Sequence, residues 1–134
     1  MGLFARIFGI CKTPHPKDSG CWIYADGKVD VALERAAELS LPGNGIRLEG
    51  KGLPQRILLF CGTDGNFYAF KNKCTHGGRR LDPVPGTEKV QCCSVFGSVF
   101  AYTGEKVSGP AKGPLTNFPV EKRENRLIIR VRSL

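Results

Sequence analysis

From Cys21 onward the chain is a succession of short apolar and polar runs that favour strands over helices. "WIYADGKVDV" is two alternating runs around Asp26-Gly27, and "LLFCGTDGNFYAF" reads as a second hairpin around Asp64-Gly65. An Asp-Gly pair between alternating runs predicts a hairpin, because both residues tolerate the left-handed backbone of a tight turn. "IRLEG" and "QRILLFCG" read as strands, with breaks at "LPGNG" and "KGLP". "TEKVQC", "GSVFAY" and "GEKVSG" are short strands between turns, and "FPVEKRENRLIIRV" closes the chain as a further hairpin. "ALERAAEL" has the composition for a helical turn or two. Many short strands at regular spacing predict an all-β fold, an antiparallel sandwich or barrel. No internal repeat or low-complexity tract interrupts it.

Residues 1–20 stand apart as an extension, leaving 21–134 as the domain. Leu3, Phe4, Ile7, Phe8 and Cys11 fall at helical spacing, so a short amphipathic helix is expected, ended by Pro14 and Pro16. Its polar face carries little charge, which favours docking on the domain's own apolar surface over membrane-surface contact through residues 1–12. The acid-free start with Arg6 also loosely resembles an organellar transit peptide, so an organellar location stands beside the cytoplasmic expectation.

Composition narrows the classes. A length of 134 residues favours one domain. No apolar run approaches the roughly 20 residues of a transmembrane helix. Twenty Lys and Arg against 12 Asp and Glu give a net charge of +8. Such a surface suits an acidic partner. Nucleic acid is not expected, because no aromatic platform accompanies the basic residues. The charge in "EKRENRLIIRVR" reads as a solvated hairpin edge guarded against edge-to-edge pairing. Six cysteines raise the question of disulfides. No secretory signal is evident in "MGLFARIFGICK", so the cysteines are expected as thiols serving metal or redox chemistry rather than as staples.

Two segments depart from the strand pattern: "KCTHGGRRLDPVPG", polar and glycine-rich, and "CCSVFGSVF". Both follow strands, so a sheet can present them as neighbouring loop tips. Paired zinc ligands are usually separated by two to four residues. Cys74-Thr75-His76 and Cys92-Cys93 are more tightly spaced and suit a single ion poorly. They suit two irons better, each loop offering a ligand to both.

Together these residues resemble the small Rieske-type ferredoxins. That family carries Cys-x-His-x-Gly-x-x-Leu, a spacer, then Cys-Pro-x-His-Gly-x-x-Phe. Here Cys74, His76, Gly78 and Leu81 match the first box, and Cys93, Gly97 and Phe100 the second. "TGEKVSGPAKGPLTNFPV" is similar to the family's Thr-Gly turn, its Ser-Gly-Pro-Ala loop and its return strand, and the likeness covers residues 22 to 132. It implies a sandwich base with a two-loop cluster-binding subdomain at about 73–110. It also implies a [2Fe–2S] centre, one-electron transfer and an acidic redox protein as partner. No constellation suited to substrate catalysis is present, so a carrier rather than an enzyme is expected.

The departure from the pattern is central. Phe96 stands where the family has its second histidine, and phenylalanine cannot ligate iron. Ser94 replaces the proline. The family's extra disulfide would need cysteines at the positions of Arg79 and Val95. Three readings follow. Cys92 supplies the fourth ligand beside Cys74, His76 and Cys93, provided the backbone turns at 92–93, since successive strand residues face opposite ways. Alternatively, His15 or another group outside the boxes completes the site. In the third reading no cluster binds, and the chain is a binding or structural module. A thiolate in place of an imidazole adds one negative charge, which lowers the reduction potential and weakens its pH dependence. Elsewhere, Cys61 reads as a buried strand thiol. Cys11, His15 and Cys21 form a weaker metal candidate. Arg79 and Arg80 read as solvated or, beside a cluster, as part of an acid-seeking docking face.

Overall fold

The computed structural model describes residues 11–75, 77–93 and 97–131. The expected N-terminal helix, spaced from Leu3 to Cys11, lies outside them in all but its last residue. The chain enters through a single 3-10 turn, Ser19–Cys21, whose N-terminal Asp18 accepts a hydrogen bond from Gly20 N. The first hairpin joins β1 (Trp22–Ala25) to β2 (Lys28–Ala32), with Ala25 facing Lys28 across the turn. Asp26 and Gly27 both have positive φ, 53° and 74°, as a two-residue turn between right-twisted strands requires. "ALERAAEL" becomes two 3-10 turns, Leu33–Arg35 and Ala37–Ser40. Strand β3 (Gly45–Leu48), β4 (Ile57–Cys61) and β5 (Phe67–Lys71) follow, β4 and β5 meeting around Asp64-Gly65.

Four strands then build the region of the two loops: β6 (Leu81–Val84), β7 (Lys89–Cys92), β8 (Val99–Ala101) and β9 (Lys106–Ser108). Strand β6 was not expected, because Pro83 and the surrounding glycines read as loop. Among the described residues it forms an edge, pairing only with β7 in the order β6-β7-β8-β9, and an edge strand tolerates the missing proline N–H. The chain ends with β10 (Asn117–Phe118), β11 (Val120–Arg123) and β12 (Arg126–Arg130). Pro119 separates β10 from β11, and there the chain passes from one sheet to another.

Three four-stranded antiparallel sheets result, ordered β1-β2-β12-β11, β10-β5-β4-β3 and β6-β7-β8-β9. Strand β4 shows how they stack. All five of its residues are buried. Ile57 and Leu59 join a core with Val29, Val31, Leu127 and Ile129 of the first sheet. Leu58 and Phe60, on the opposite face, join a second core with Leu81, Val90 and Phe100 of the third. The middle sheet is therefore covered on both sides, and β4 reads as a continuous apolar run rather than an alternating one. The second core is rich in rings: Phe60 lies 5.2 Å from Tyr102 and 5.6 Å from Tyr68, centroid to centroid. Close approach of β3 to β4 depends on Gly45, where a Cβ would sit 2.7 Å from Leu59 O and Phe60 Cβ. No helix among the described residues is long and apolar enough to cross a membrane.

Candidate functional site

The first loop leaves β5 at Asn72, a residue 1% exposed. Its backbone N donates to Arg56 O (2.8 Å), and its side-chain Oδ1 accepts from Leu81 N (2.8 Å). That second bond closes the base of the loop at the start of β6. Burying a polar group costs free energy unless it finds a partner; Oδ1 finds one in the strand the loop must return to, while Nδ2 is buried with no hydrogen-bond partner among the described residues. Inside the loop, Cys74 N donates to Arg79 O (2.7 Å) and Gly78 N to Cys74 O (2.9 Å), with Gly78 at φ 73°. Arg56 Nη2 donates to Gly78 O (2.7 Å), and burial pushes the Arg56 pKa down. Thr75 Oγ1 donates to Gly113 O (2.7 Å), tying this loop to the Gly-Pro-rich segment after β9. Arg79 is exposed. Arg80 is not simply solvated: its guanidinium forks onto Glu49, Nε to Oε2 at 2.6 Å and Nη2 to Oε1 at 3.0 Å. The Arg80 guanidinium holds the Glu49 carboxyl below its ordinary range, against an opposing push from burial.

The second loop begins where β7 ends at Cys92. Leu81 faces Cys92 across the β6–β7 pair, and Cys93 N donates to Arg80 O (3.0 Å). The two loop ends therefore meet in register. Cys92 N donates to Ser98 O (2.8 Å), and buried Ser98 accepts from Ala111 N through its Oγ (3.0 Å). Gly109, at φ 95°, has no room for a Cβ, which would lie 2.5 Å from Ser98 Cα. The Ser-Gly-Pro-Ala segment thus packs directly on the second loop. His76, Ser94, Val95 and Phe96 lie outside the described residues.

The cysteines divide by face. Cys74 (1% exposed) and Cys92 (3%) both join the core between the middle and third sheets. Cys93, the next residue after the strand, is turned away, and its sulfur is bonded to Cys11 in a disulfide with Cα atoms 5.4 Å apart. This corrects the expectation that the cysteines serve metal or redox chemistry without stapling. The partners are 82 positions apart, a pairing no local pattern reveals. Asp82 fixes the same strap: its Oδ2 accepts from Lys12 N (2.8 Å), and its Oδ1 accepts from Thr13 N (2.9 Å) and Thr13 Oγ1 (2.6 Å). Pro14 O accepts from Arg47 N (2.9 Å). A Cys11 Sγ, a Cys93 Sγ and an Asp82 oxygen lie within 4.8 Å of one another. Cys21 instead packs in the first core, so Cys11, His15 and Cys21 do not assemble as a metal site. Cys61 is buried, and burial pushes its thiol pKa up.

Asn72, Asp82 and Glu49 were missed by sequence reasoning, and Cys11 was read as a helix residue and a weak metal candidate, not as the disulfide partner of Cys93. Only Asn72 carried a signal, as a polar break between "FYAF" and the first box.

Whether these residues suit an iron–sulfur cluster turns on sulfur chemistry. With the disulfide closed, Cys93 has no thiolate to offer, and the donor set does not fit. With it open, Cys74, Cys92 and Cys93 are three soft donors at the meeting ends of two loops, Cys74 and Cys92 on one face and Cys93 on the other, so a shared cluster requires the backbone at 92–93 to turn.

A cleft of about 280 Å³ lies beside Cys74, lined by Lys71, Lys73, Thr75, Gly78 and Thr116. Lys73 is exposed on its rim.

Comparison with known proteins agrees with this architecture. The chain is similar over 82% of its length to 99% of a chain in the complex of reduced oxygenase and oxidized ferredoxin of carbazole 1,9a-dioxygenase, with 25% identity and a TM-score of 0.63. It shares its fold with the ferredoxin of carbazole 1,9a-dioxygenase from Nocardioides aromaticivorans IC177, at 19% identity and TM-score 0.58, over 69% of this chain and 88% of that one. The plasma-membrane Rieske protein PetC3 of the cyanobacterium Synechocystis PCC 6803 has the same fold, at 24% identity and TM-score 0.53, over 63% of this chain and 86% of that one. The Rieske [2Fe-2S] domain profile matches residues 30–119, well over half of the 134 residues. The chain belongs to the Rieske [2Fe-2S] domain family.

Proposed function

We propose that this small Rieske protein carries single electrons and, in its dithiol form, holds a [2Fe–2S] cluster through Cys74, His76, Cys93 and Cys92. The observation that carries this reading is the register of the loops: Cys93 N bonds to Arg80 O, and Cys74 and Cys92 share one buried core. When bound, the cluster supplies one-electron oxidation and reduction. The chain's own residues do the rest. Asn72, Arg56 and Thr75 fix the first loop, Ser98 and Gly109 seat the second, and the aromatic core beneath them excludes water. The likeness to a ferredoxin over 82% of the chain supports a carrier rather than a catalyst. The reduced thiols it needs favour a reducing compartment, and the cytoplasm is the expected location.

The +8 charge and the lysines beside Cys74 support docking to an acidic redox protein. A ferredoxin relative is seen in complex with an oxygenase, and a partner of that kind is consistent with the basic surface. A second reading, a clusterless binding module, is favoured by the Cys11–Cys93 disulfide. Substitution separates the two. Cys74→Ser abolishes the visible absorbance of anaerobically reconstituted protein, and Cys61→Ala leaves it intact. Full iron occupancy in Cys74→Ser, or loss in Cys61→Ala, refutes the ligand assignment.

A further inference from the structure

We infer that the Cys11–Cys93 disulfide is a thiol lock on the cluster site, so that its closing empties the site and its opening arms it. The inference rests on the reading of Cys93 as a ligand. One sulfur cannot be both half of a disulfide and an iron ligand, so the two states exclude each other in any one molecule.

Three features make this pair a switch. The first is position. Cys93 is the matched cysteine of the second box, and the residue bonded to it comes from a strap outside the domain match of residues 30–119. The second is asymmetry of access. Cys93 is 1% exposed, whereas Cys11 is half-buried. An incoming thiolate therefore reaches the Cys11 sulfur first. Its attack forms a mixed disulfide at Cys11 and expels Cys93 as a thiolate, the charge state an iron ligand needs. The second thiol of a dithiol reductant then displaces Cys11. The reductant leaves as a cyclic disulfide, its two electrons reside on the two released sulfurs, and its two protons go to Cys11 and to Cys93 or solvent.

The third feature is retention. The hydrogen bonds from Lys12 and Thr13 to Asp82 do not involve sulfur. They keep Cys11 beside Cys93 after reduction, so an oxidant that accepts two electrons from the dithiol re-forms the bond intramolecularly. Asp82 is thus a positioning residue for the lock.

The test uses the full chain, reconstituted anaerobically with ferrous iron and sulfide after reduction, then exposed to the thiol oxidant diamide. Peptide mass spectrometry reads the Cys11–Cys93 cross-link, and iron analysis with visible absorbance reads the cluster. In wild type, iron loss and cross-link formation proceed in step. Cys11→Ser loads as wild type does but bleaches at least about tenfold more slowly, because it has no partner for Cys93. Cross-linked molecules that retain full iron, or equal bleaching of wild type and Cys11→Ser, overturn the lock and leave the cluster reading standing. A Cys11→Ser variant that folds by circular dichroism yet takes up no iron makes Cys11 a ligand and also overturns the lock. If reduced wild type takes up no iron, the cluster reading fails, and the lock fails with it.

Discussion

Replacing Asp82 by alanine removes the acceptor of three hydrogen bonds that hold residues 12 and 13 against β6. The cost follows from where each donor is left. Thr13 is only 7% exposed, so its N–H and hydroxyl both lose their partner in a place water reaches poorly. A buried donor left unsatisfied costs about 1–3 kcal/mol. The low end of that range, taken for two neighbouring donors that relax together, gives about 2–3 kcal/mol. The Lys12 N–H is only partly buried, so water replaces its lost partner and it adds about 0.5 kcal/mol. The expected total is about 3 kcal/mol, or a fall of about 10 °C in Tm for a chain of this size. Urea unfolding followed by tryptophan fluorescence of Trp22 measures it. The variant should keep the m-value and lose midpoint, because the exposed area on unfolding hardly changes. The loss should persist in the reduced protein, where the strap is held without the disulfide. A loss below about 0.5 kcal/mol, the range of ordinary surface substitutions, would show that the strap is not docked through Asp82.

The Glu49–Arg80 fork predicts a pH dependence. Glu49 titrates below its ordinary 4.5 in the folded state, so its contribution is complete above that value and is lost as pH falls through the folded pKa. Glu49→Gln should therefore be less stable than wild type at neutral pH, with the gap closing in acid unfolding curves. A constant gap would place the ionised Glu49 outside the pair. Gly109→Ala should destabilise the second loop by at least about 1 kcal/mol, from backbone strain at φ 95° and the clash with Ser98. Hydrogen exchange should rise at Ala111 N, which bonds Ser98 Oγ, and unchanged protection there would contradict the packing. Electron transfer to an acidic acceptor protein should slow steeply with ionic strength in stopped flow. A flat response would remove the basic surface from the encounter.

What the sequence made legible was local. The turns at Asp26-Gly27 and Asp64-Gly65 join neighbouring runs, and each needs only a few residues to specify it. The two boxes were legible because their residue types and spacing recur as a set. Strand β6 was hidden, since Pro83 and nearby glycines are loop signals wherever a strand is not at an edge. The segment of β4 read as a strand, but neither its burial on both faces nor which residues faced which sheet was legible. Arg80 looked solvated because Glu49, its partner, lies 31 positions away. The Cys11–Cys93 bond was beyond reach for the same reason, as both partners lie in segments that look unrelated. Long-range pairs of this kind are set by the stacking of sheets, and the linear pattern carries no record of them.

The central claim is that the dithiol form of this Rieske protein binds a [2Fe–2S] cluster at the meeting point of its two loops. Iron and acid-labile sulfide analysis of the reduced, anaerobically reconstituted chain, with electron paramagnetic resonance after one-electron reduction, tests it most directly. The account predicts iron and sulfide in equal amounts and a one-electron signal of a two-iron centre, lost in Cys74→Ser. A fully reduced chain that is folded, colourless and free of iron would contradict it.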